Sequence, residues 1–513
     1  MPAARALPLA VLLSFGLALA QPRNADQWYA QGQQQRSAGN APAAAVSFQR
    51  AAELNPSAAN WRNLADTLAL LKDYDGATSA YDKAVARYEG LGDAETARAL
   101  KAIADKIRPE FQLYQLSASS SPYPAGQPLA KLEPPRGCYV GAYVGENGIT
   151  GTRFALDSAL GVRHAIYFRY HLLRRPESYD LNHPLFPSRL AAAARADGAA
   201  IHLALEPDLP LNQITPAVVQ PFAEAVRDAK VPVFVRFASE FNDPGNAWSN
   251  NPAAFVRAFR VVHDTLARIA PQAAMVWTPM ATNLKVVDAY YPGRAYVDWV
   301  GITLYSTVFV SGNVNDPGEA INPLDRLDEL YRKYAPYHPF QVSEFGAAHA
   351  NGGTGDRDYT AFAVEKLSLL YYGAMLRYPR LKDINWLDLN MTNGRDANGK
   401  PATRQSDYTL LGSDGVKDAY LKVTGEPYFL HRFGAPFSAV PAAVNFPLTV
   451  PRGPAVTAAA WVKGAAPVNR VRVLLDGKLF AELREMPYRF ILPTASLALG
   501  KHDLRFTATD AGA

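Results

Sequence analysis

Short apolar runs alternate with helix-compatible stretches through residues 137–431, and this rhythm constrains the fold more than any other feature of the 513-residue chain. The eight runs are Cys138–Val144, His164–Tyr170, Ala200–Leu205, Val231–Phe237, Ala274–Trp277, Trp299–Leu304, Phe340–Val342 and Ile384–Leu389. Eight such β-then-α units predict a (β/α)8 TIM barrel, because parallel strands need helical crossovers between them. An open doubly wound sheet is the alternative, although no glycine-rich phosphate turn follows the first run.

Residues 24–110 contain an internal repeat. Four residues recur 33 positions later: Trp28, Ala44, Phe48 and Ala51 return as Trp61, Ala77, Tyr81 and Ala84. Spacings of four and three place the two alanines and the aromatic ring on one helical face. The region resembles the tetratricopeptide repeat, with Asp93–Ile107 as a predicted capping helix. That resemblance implies a protein partner, or docking of the repeats on the barrel.

Two further segments flank the barrel. Residues 111–136 are rich in Ser and Pro and are predicted to form an extended or mobile linker. Residues 440–513 read as short strands, with Asp476-Gly477 as a tight hairpin turn. This stretch resembles the immunoglobulin-like β-sandwich modules of bacterial extracellular enzymes. One more closing strand is expected after Leu504–Ala508, so the module is either truncated or completed at its edge by another segment.

The N-terminus predicts export. Met1–Ala20 combines a positive residue, an apolar stretch and an Ala-Leu-Ala cleavage signal, so a periplasmic or extracellular protein is expected. No later segment is long and apolar enough to span a membrane. A net charge of +5 without any Lys/Arg run argues against nucleic acid as a partner. The single cysteine, Cys138, allows no internal disulfide. No metal-ligand spacing is present, and neither a metal nor a cofactor is expected.

Two glutamates follow apolar runs on opposite sides of the predicted barrel. Glu240 comes after the fourth run and Glu344 after the seventh. Residues at the carboxyl ends of barrel strands converge on one mouth, so these two carboxylates are expected to meet. A pair about 5–5.5 Å apart can cleave a glycosidic bond with retention of configuration. An ordinary surface salt bridge is the alternative for either glutamate.

Several strand ends together resemble glycoside hydrolase family 26. The matching segments are Arg236–Asn242 with Trp248, Trp277–Pro279, Val297–Ile302 with Tyr305, Ser343–Gly346, and Trp386. The resemblance implies that Glu240 is the acid/base and Glu344 the nucleophile. It also assigns substrate contacts to Arg236, Asn242, Trp248, Tyr305 and Trp386. The family usually has His where this chain has Ser239, which puts the usual mannan specificity in doubt more than the reaction.

Roles for the neighbouring residues follow from their chemistry. Arg236 and Tyr305 are expected to donate hydrogen bonds to Glu344, because such donors favour the carboxylate form. Trp386 is predicted as a sugar platform and Trp248 as a cleft wall, with core packing as the alternative for both. Weaker candidates for the cleft are Glu206, Asp208, His164 and His349.

The prediction is therefore an exported, retaining endo-glycosidase. Its substrate is expected to be a β-linked polysaccharide, either β-mannan-like or an exopolysaccharide. The alternatives are a non-catalytic glycan-binding barrel and an envelope-assembly scaffold whose repeats bind protein.

Overall fold

The computed structural model describes residues 24–117, 128–151, 153–310, 313–318, 322–354, 357–392, 406–434, 442–445, 447, 449–450 and 452–510. The predicted signal peptide lies outside the described residues. The chain divides into two compact units, residues 1–109 and 110–513. Among the described helices, none combines the length and apolar character needed to cross a bilayer.

The first unit is built from antiparallel helix pairs. Its helices are α1 Ala25–Ser37, α2 Ala41–Leu54, α3 Ala58–Leu70, α4 Tyr74–Gly90 and α5 Ala94–Ile107. Each begins after an Asn, Ser or Asp whose side chain accepts a hydrogen bond from a backbone N–H of the first turn. Such N-caps satisfy donors that have no partner inside the helix. The fifth helix occupies the predicted capping position.

The repeated residues form the core of this unit. Phe48 and Tyr81 are at most 3% exposed, and the alanines at the repeated positions are fully buried. Gly32 lies against the Phe48 ring, where an added Cβ would come within 2.8 Å of ring carbons. The 33-residue spacing therefore marks equivalent core positions in successive helix pairs, and the helical prediction for this region is confirmed.

The second unit begins with β1 Glu110–Ser117 and continues into the barrel. The barrel-region strands are β2 Cys138–Tyr143, β3 Ile149–Thr150, β4 Arg153–Phe154, β5 Ile166–Leu173, β6 Ala200–Pro207, β7 Val233–Phe237, β8 Ala274–Trp277, β9 Trp299–Ser306, β10 Phe340–Ala347, β11 Ala350–Asn351, β12 Leu381–Trp386, β13 Ser406–Asp407 and β14 Phe429–Leu430. Its helices are α6 Ala155–Leu160, α7 Ser188–Asp197, α8 Pro216–Asp228, α9 Pro252–Ile269, α10 Pro323–Tyr334, α11 Thr360–Leu376 and α12 Asp414–Thr424.

Eight parallel strands close into a barrel. They follow the order β2-β5-β6-β7-β8-β9-β10-β12, and β12 pairs with β2 through Asp383↔Tyr139 to Trp386↔Ala142. The predicted TIM barrel is confirmed, and each of the eight apolar runs overlaps one of its strands. An open doubly wound sheet is excluded because the first and last strands are paired.

Alternation along the strands decides which side chains enter the barrel. Tyr139, Ile166, Ala200, Phe234 and Trp299 form one buried cluster inside it. Residues two or four positions further on face the same interior, because side chains alternate along a strand. Buried interior groups at this level include Arg236 and His202, both fully enclosed. The next inward positions lie at the carboxyl ends of the strands.

The C-terminal module is an antiparallel two-sheet structure. Its own strands are β15 Ala442–Asn445, β16 Val456–Lys463, β17 Val468–Leu475, β18 Lys478–Leu483, β19 Arg489–Leu492 and β20 Leu504–Asp510. One sheet has the order β15-β1-β16-β19 and the other β18-β17-β20. Asp476 and Gly477 join β17 to β18 with φ of 50° and 80°, as the hairpin prediction requires. The predicted all-β module is confirmed.

The start of the predicted linker needs correction. Residues 110–117 form β1, which pairs with β16 from Glu110↔Lys463 to Gln115↔Ala458 and with β15 from Tyr114↔Asn445 to Ser117↔Ala442. The linker prediction for 111–136 was wrong for this part because the strand's partners lie more than 300 residues away. Leu113 of β1 enters the core of the module, so a segment preceding the barrel completes that sheet.

Candidate active site

A cavity of about 250 Å³ opens at the carboxyl ends of the barrel strands. Polar groups line it from several strands and from the turn after β7: Tyr170, Glu206, Ser239, Glu240, Asn246, Tyr305 and Glu344. Larger or apolar side chains line the rest: Trp248, Leu387, Leu389, Met391 and Tyr408. The barrel therefore brings the two predicted glutamates into one cavity.

The turn after β7 presents Glu240. Ala238 and Glu240 have φ of 47° and 55°, in the left-handed region that residues other than glycine seldom adopt. The Ala238 N–H donates to the Leu205 carbonyl at 2.9 Å and the Glu240 N–H to the Thr278 carbonyl at 2.8 Å. These bonds tie the turn to the strands on either side. Strained backbone of this kind costs about 1–3 kcal/mol per residue and is common at functional sites.

Three donors converge on the Glu344 carboxylate. Arg236 Nη2 donates to Oε1, whereas the Tyr170 hydroxyl, at 2.7 Å, and the Tyr305 hydroxyl donate to Oε2. Glu344 is only 2% exposed and Arg236 is fully buried. A buried carboxylate needs such partners, and these three also fix its orientation.

The charges in the cavity are closely coupled. Burial and the charge of Glu344 hold the pKa of both Tyr170 and Tyr305 well above the ordinary value, so both hydroxyls remain donors. Burial by itself would lower the pKa of Arg236, but the charge of Glu344, its hydrogen bond with Arg236 and the other acidic groups nearby together raise that pKa. The charge of Glu240 acts on the same three groups. Glu240 and Glu344 therefore share one electrostatic environment.

Trp248 and its neighbours shape the wall next to Glu240. The Trp248 indole N–H donates to the Ser239 carbonyl at 2.7 Å, and the ring is half-buried against the cavity. Asn246 donates through Nδ2 to the Glu240 carbonyl at 2.9 Å. Ser239 also lines the cavity. The loop after β7 is thus fastened to the turn that carries Glu240.

Three predicted substrate contacts lie outside the cavity lining: Arg236, which is fully buried and bonded to Glu344, Asn242 and Trp386. Asn242 is 4% exposed, and its amide bonds the backbone of Met280 in both directions and the Thr282 carbonyl. Trp386 is fully buried, donates to the Tyr408 carbonyl at 2.8 Å and packs against Phe345. The structure therefore gives Asn242 a loop-fastening position and gives Trp386 a core position rather than a sugar platform.

Of the four weaker candidates for the cleft, one lines the cavity and three do not. Glu206 lines the cavity. Asp208 forms a salt bridge of 2.9 Å with Arg174 and does not line the cavity. His164 is held between Asp157 and the Tyr420 hydroxyl, and His349 bonds the Thr409 carbonyl. Both histidines are buried and lie away from the cavity lining.

Some lining residues escaped prediction. Tyr170 ends the second apolar run and faces inward, because it lies four positions after Ile166 on the same strand face. Alternation along the strand was a usable signal for this residue. Leu387 and Leu389 end the eighth apolar run, beyond the end of β12. Met391 and Tyr408 lie outside the predicted runs, and no comparable signal marks them.

A family model matches part of the barrel. The model described as Glycosyl hydrolase family 26 matches residues 211–321. This span contains Arg236, Glu240, Trp248 and Tyr305 but ends before Glu344. No curated protein matches the chain.

Solved structures of glycoside hydrolases match the chain at low identity. Bacillus subtilis mannanase man26 is 16% identical, with 63% of this chain and 94% of that chain covered and a TM-score of 0.40. The catalytic domain of the Bacillus sp. JAMB-750 GH26 endo-beta-1,4-mannanase is 14% identical, with coverage of 58% and 89% and a TM-score of 0.40. A family 39 glycoside hydrolase from Bacteroides cellulosilyticus WH2 is 13% identical, with coverage of 71% and 80% and a TM-score of 0.43.

Proposed function

We propose that this glycosidase, whose barrel is of the family 26 type, is an exported enzyme that cleaves a β-linked polysaccharide internally with retention of configuration. The observation that carries the proposal is the enclosure of Glu344 by three donors in the same cavity as Glu240. An oriented carboxylate beside a second carboxyl group is what double displacement at a sugar carbon requires.

The first step uses both glutamates. A Glu344 oxygen attacks the anomeric carbon as the bond from that carbon to the glycosidic oxygen breaks. Glu240 donates its proton to the departing oxygen, so the leaving chain departs as a neutral alcohol. Arg236, Tyr170 and Tyr305 hold the attacking carboxylate in place.

The second step releases the product. Glu240, now ionised, removes a proton from water as the water oxygen attacks the same carbon and displaces Glu344. Two inversions at one carbon give net retention. The turn that carries Glu240 holds the carboxyl group in place for both steps, because its backbone is fastened to Leu205 and Thr278.

The substrate and setting are part of the proposal. The family resemblance makes a β-mannan-like chain the first polysaccharide to test, and Ser239 makes an exopolysaccharide the second. Export rests on the signal-like pattern of residues 1–20.

A protein partner is proposed for the helical unit, where Tyr29, Gln33 and Asn63 form a hydrogen-bonded polar cluster between α1 and α3.

A polysaccharide panel tests the reaction. Purified full-length protein is incubated with β-mannan, other β-glycans and bacterial exopolysaccharides, and new reducing ends are measured. Wild type is expected to release oligosaccharides from at least one polymer, whereas Glu240→Gln and Glu344→Gln lose most of that turnover. Hydrolysis by both variants at the wild-type rate would refute the proposal. Thermal melts check that both variants are folded.

A further inference from the structure

The cavity holds one more carboxylate than double displacement uses. Glu206, Glu240 and Glu344 line it, and among the residues that the structure describes its lining contains no Lys, Arg or His. Arg236 lies beneath, fully buried and bonded to Glu344, so its charge is already matched. With Glu240 protonated as the general acid, Glu206 adds a negative charge that the described residues of the lining do not balance.

The position of Glu206 directs its side chain into the cavity. It is the seventh residue of β6, Ala200–Pro207, and shares the inward face with His202 and Ala204. It pairs in register with Leu172 of β5, the strand that carries Tyr170. Glu206 therefore stands at the mouth beside one of the donors to Glu344.

The surroundings of Glu206 differ from those of the nearby acid Asp208. Asp208 is half-exposed and pairs with Arg174 at 2.9 Å. Glu206 is half-buried, and its carboxylate makes no hydrogen bond or ion pair within the part of the chain that the structure describes. Burial raises the pKa of Glu206, the charge of Arg236 opposes that rise and the charge of Glu344 adds to it. An enclosed carboxylate in this position is stabilised by a cationic ligand group more than by a neutral one.

We propose that Glu206 is a specificity-determining residue that accepts hydrogen bonds from the ammonium group of an amino sugar unit in the glycan. The substrate class is then a polysaccharide with free amino groups, and a glycan of uronic acids is disfavoured by charge repulsion. This inference rests on the proposed function, because it places the amino sugar in the same cavity. Glu206 takes no part in bond cleavage.

Binding in a variant without turnover tests the proposal. Glu240→Gln is the background, because glutamine has the shape and charge of the protonated acid. Isothermal titration at pH 6 compares tetramers of β-1,4-linked glucosamine and β-1,4-linked mannose. The glucosamine tetramer is expected to bind about tenfold more tightly, because a hydrogen bond from its ammonium group to the Glu206 carboxylate is stronger than one from a neutral hydroxyl. Adding Glu206→Gln should bring the affinity ratio to about one, whereas Asp208→Asn should leave the ratio unchanged.

The outcomes separate this inference from the proposed function. A ratio near one in the Glu240→Gln background, no binding of the glucosamine tetramer, or a ratio that survives Glu206→Gln overturns the inference, even if neutral polysaccharide is hydrolysed. A ratio that depends on Glu206 supports it, even if the hydrolysis panel fails and removes the proposed reaction.

Discussion

The barrel mouth and the barrel interior both enclose carboxylates, but they treat them differently. At the mouth, Glu344 receives hydrogen bonds from Arg236, Tyr170 and Tyr305. In the interior, Asp383 receives one from Asn385 at 2.6 Å, and its second oxygen has no partner in the described part of the chain. Burial raises the pKa of Asp383 well above its ordinary value. Donors, rather than enclosure, thus distinguish a carboxylate prepared for chemistry.

The largest expected contrast between the two regions is in turnover. Glu344→Gln removes the proposed nucleophile and should lower kcat by a factor on the order of 10⁴. Asp383→Asn changes a residue that does not line the cavity and should retain most of the turnover. Initial rates on the best polymer of the panel check both. A comparable loss of turnover in the two variants would contradict the view that only the carboxylate at the mouth takes part in the reaction.

Removing the strongest donor at the mouth should cost stability as well as turnover. Arg236→Met leaves Glu344 buried without its cation, and breaking a buried ion pair destabilises by about 3–5 kcal/mol. Urea unfolding measures the change. Arg227→Met breaks an exposed pair with Asp228 and serves as the control, with no measurable change expected. A free energy of unfolding unaffected by Arg236→Met would show that Glu344 does not depend on this partner.

The contribution of the interior residue Asp383 to the free energy of unfolding should depend on pH in a defined direction. Because the folded pKa of Asp383 is raised, the folded protein binds that proton more tightly than the unfolded chain. Asp383 therefore destabilises the fold once the pH exceeds the unfolded pKa of about 3.9. Asp383→Asn should raise the free energy of unfolding by about 1–3 kcal/mol at pH 7, and the gain should shrink toward zero near pH 4.

Urea titrations at both pH values check this behaviour. A gain of the same size at pH 4 and pH 7 would contradict the view that Asp383 is held neutral by burial.

The smallest expected effect is on kcat and measures what a single hydroxyl donor contributes at the barrel mouth. Tyr170→Phe removes one of two hydroxyls that donate to the same oxygen of Glu344. The loss of a hydrogen bond to a charged group should lower kcat about tenfold. Steady-state kinetics on the panel substrate give the value, and the thermal melt serves as a control. A kcat equal to that of wild type would leave Tyr305 and Arg236 as sufficient support.

Local patterns predicted the barrel and the two glutamates. Each of the eight strands overlaps an apolar run of its own, so the alternation of strand and helix can be read along the chain. Glu240 follows β7 and Glu344 lies in the second half of β10, and closure of the barrel brings them together in one cavity. These features depend on residues that are neighbours in sequence.

The misses depend on three-dimensional context. Side chains alternate along β12, so Asp383 and Asn385 face the barrel interior while Trp386 packs outside the barrel against Phe345 and Tyr420. Trp386 therefore cannot serve as the predicted sugar platform. The amide of Asn242 is occupied by a loop that reaches it from β8. β1 was not predicted as a strand because its partner β16 follows the entire barrel in sequence.

The configuration of the first-formed product tests the central claim most directly. Time-resolved proton NMR of a digest separates the anomeric signals before mutarotation mixes them. Our account of Glu344 as a nucleophile predicts that the β-linked substrate first yields the β-anomer. First appearance of the α-anomer would mean inversion by direct attack of water and would contradict it.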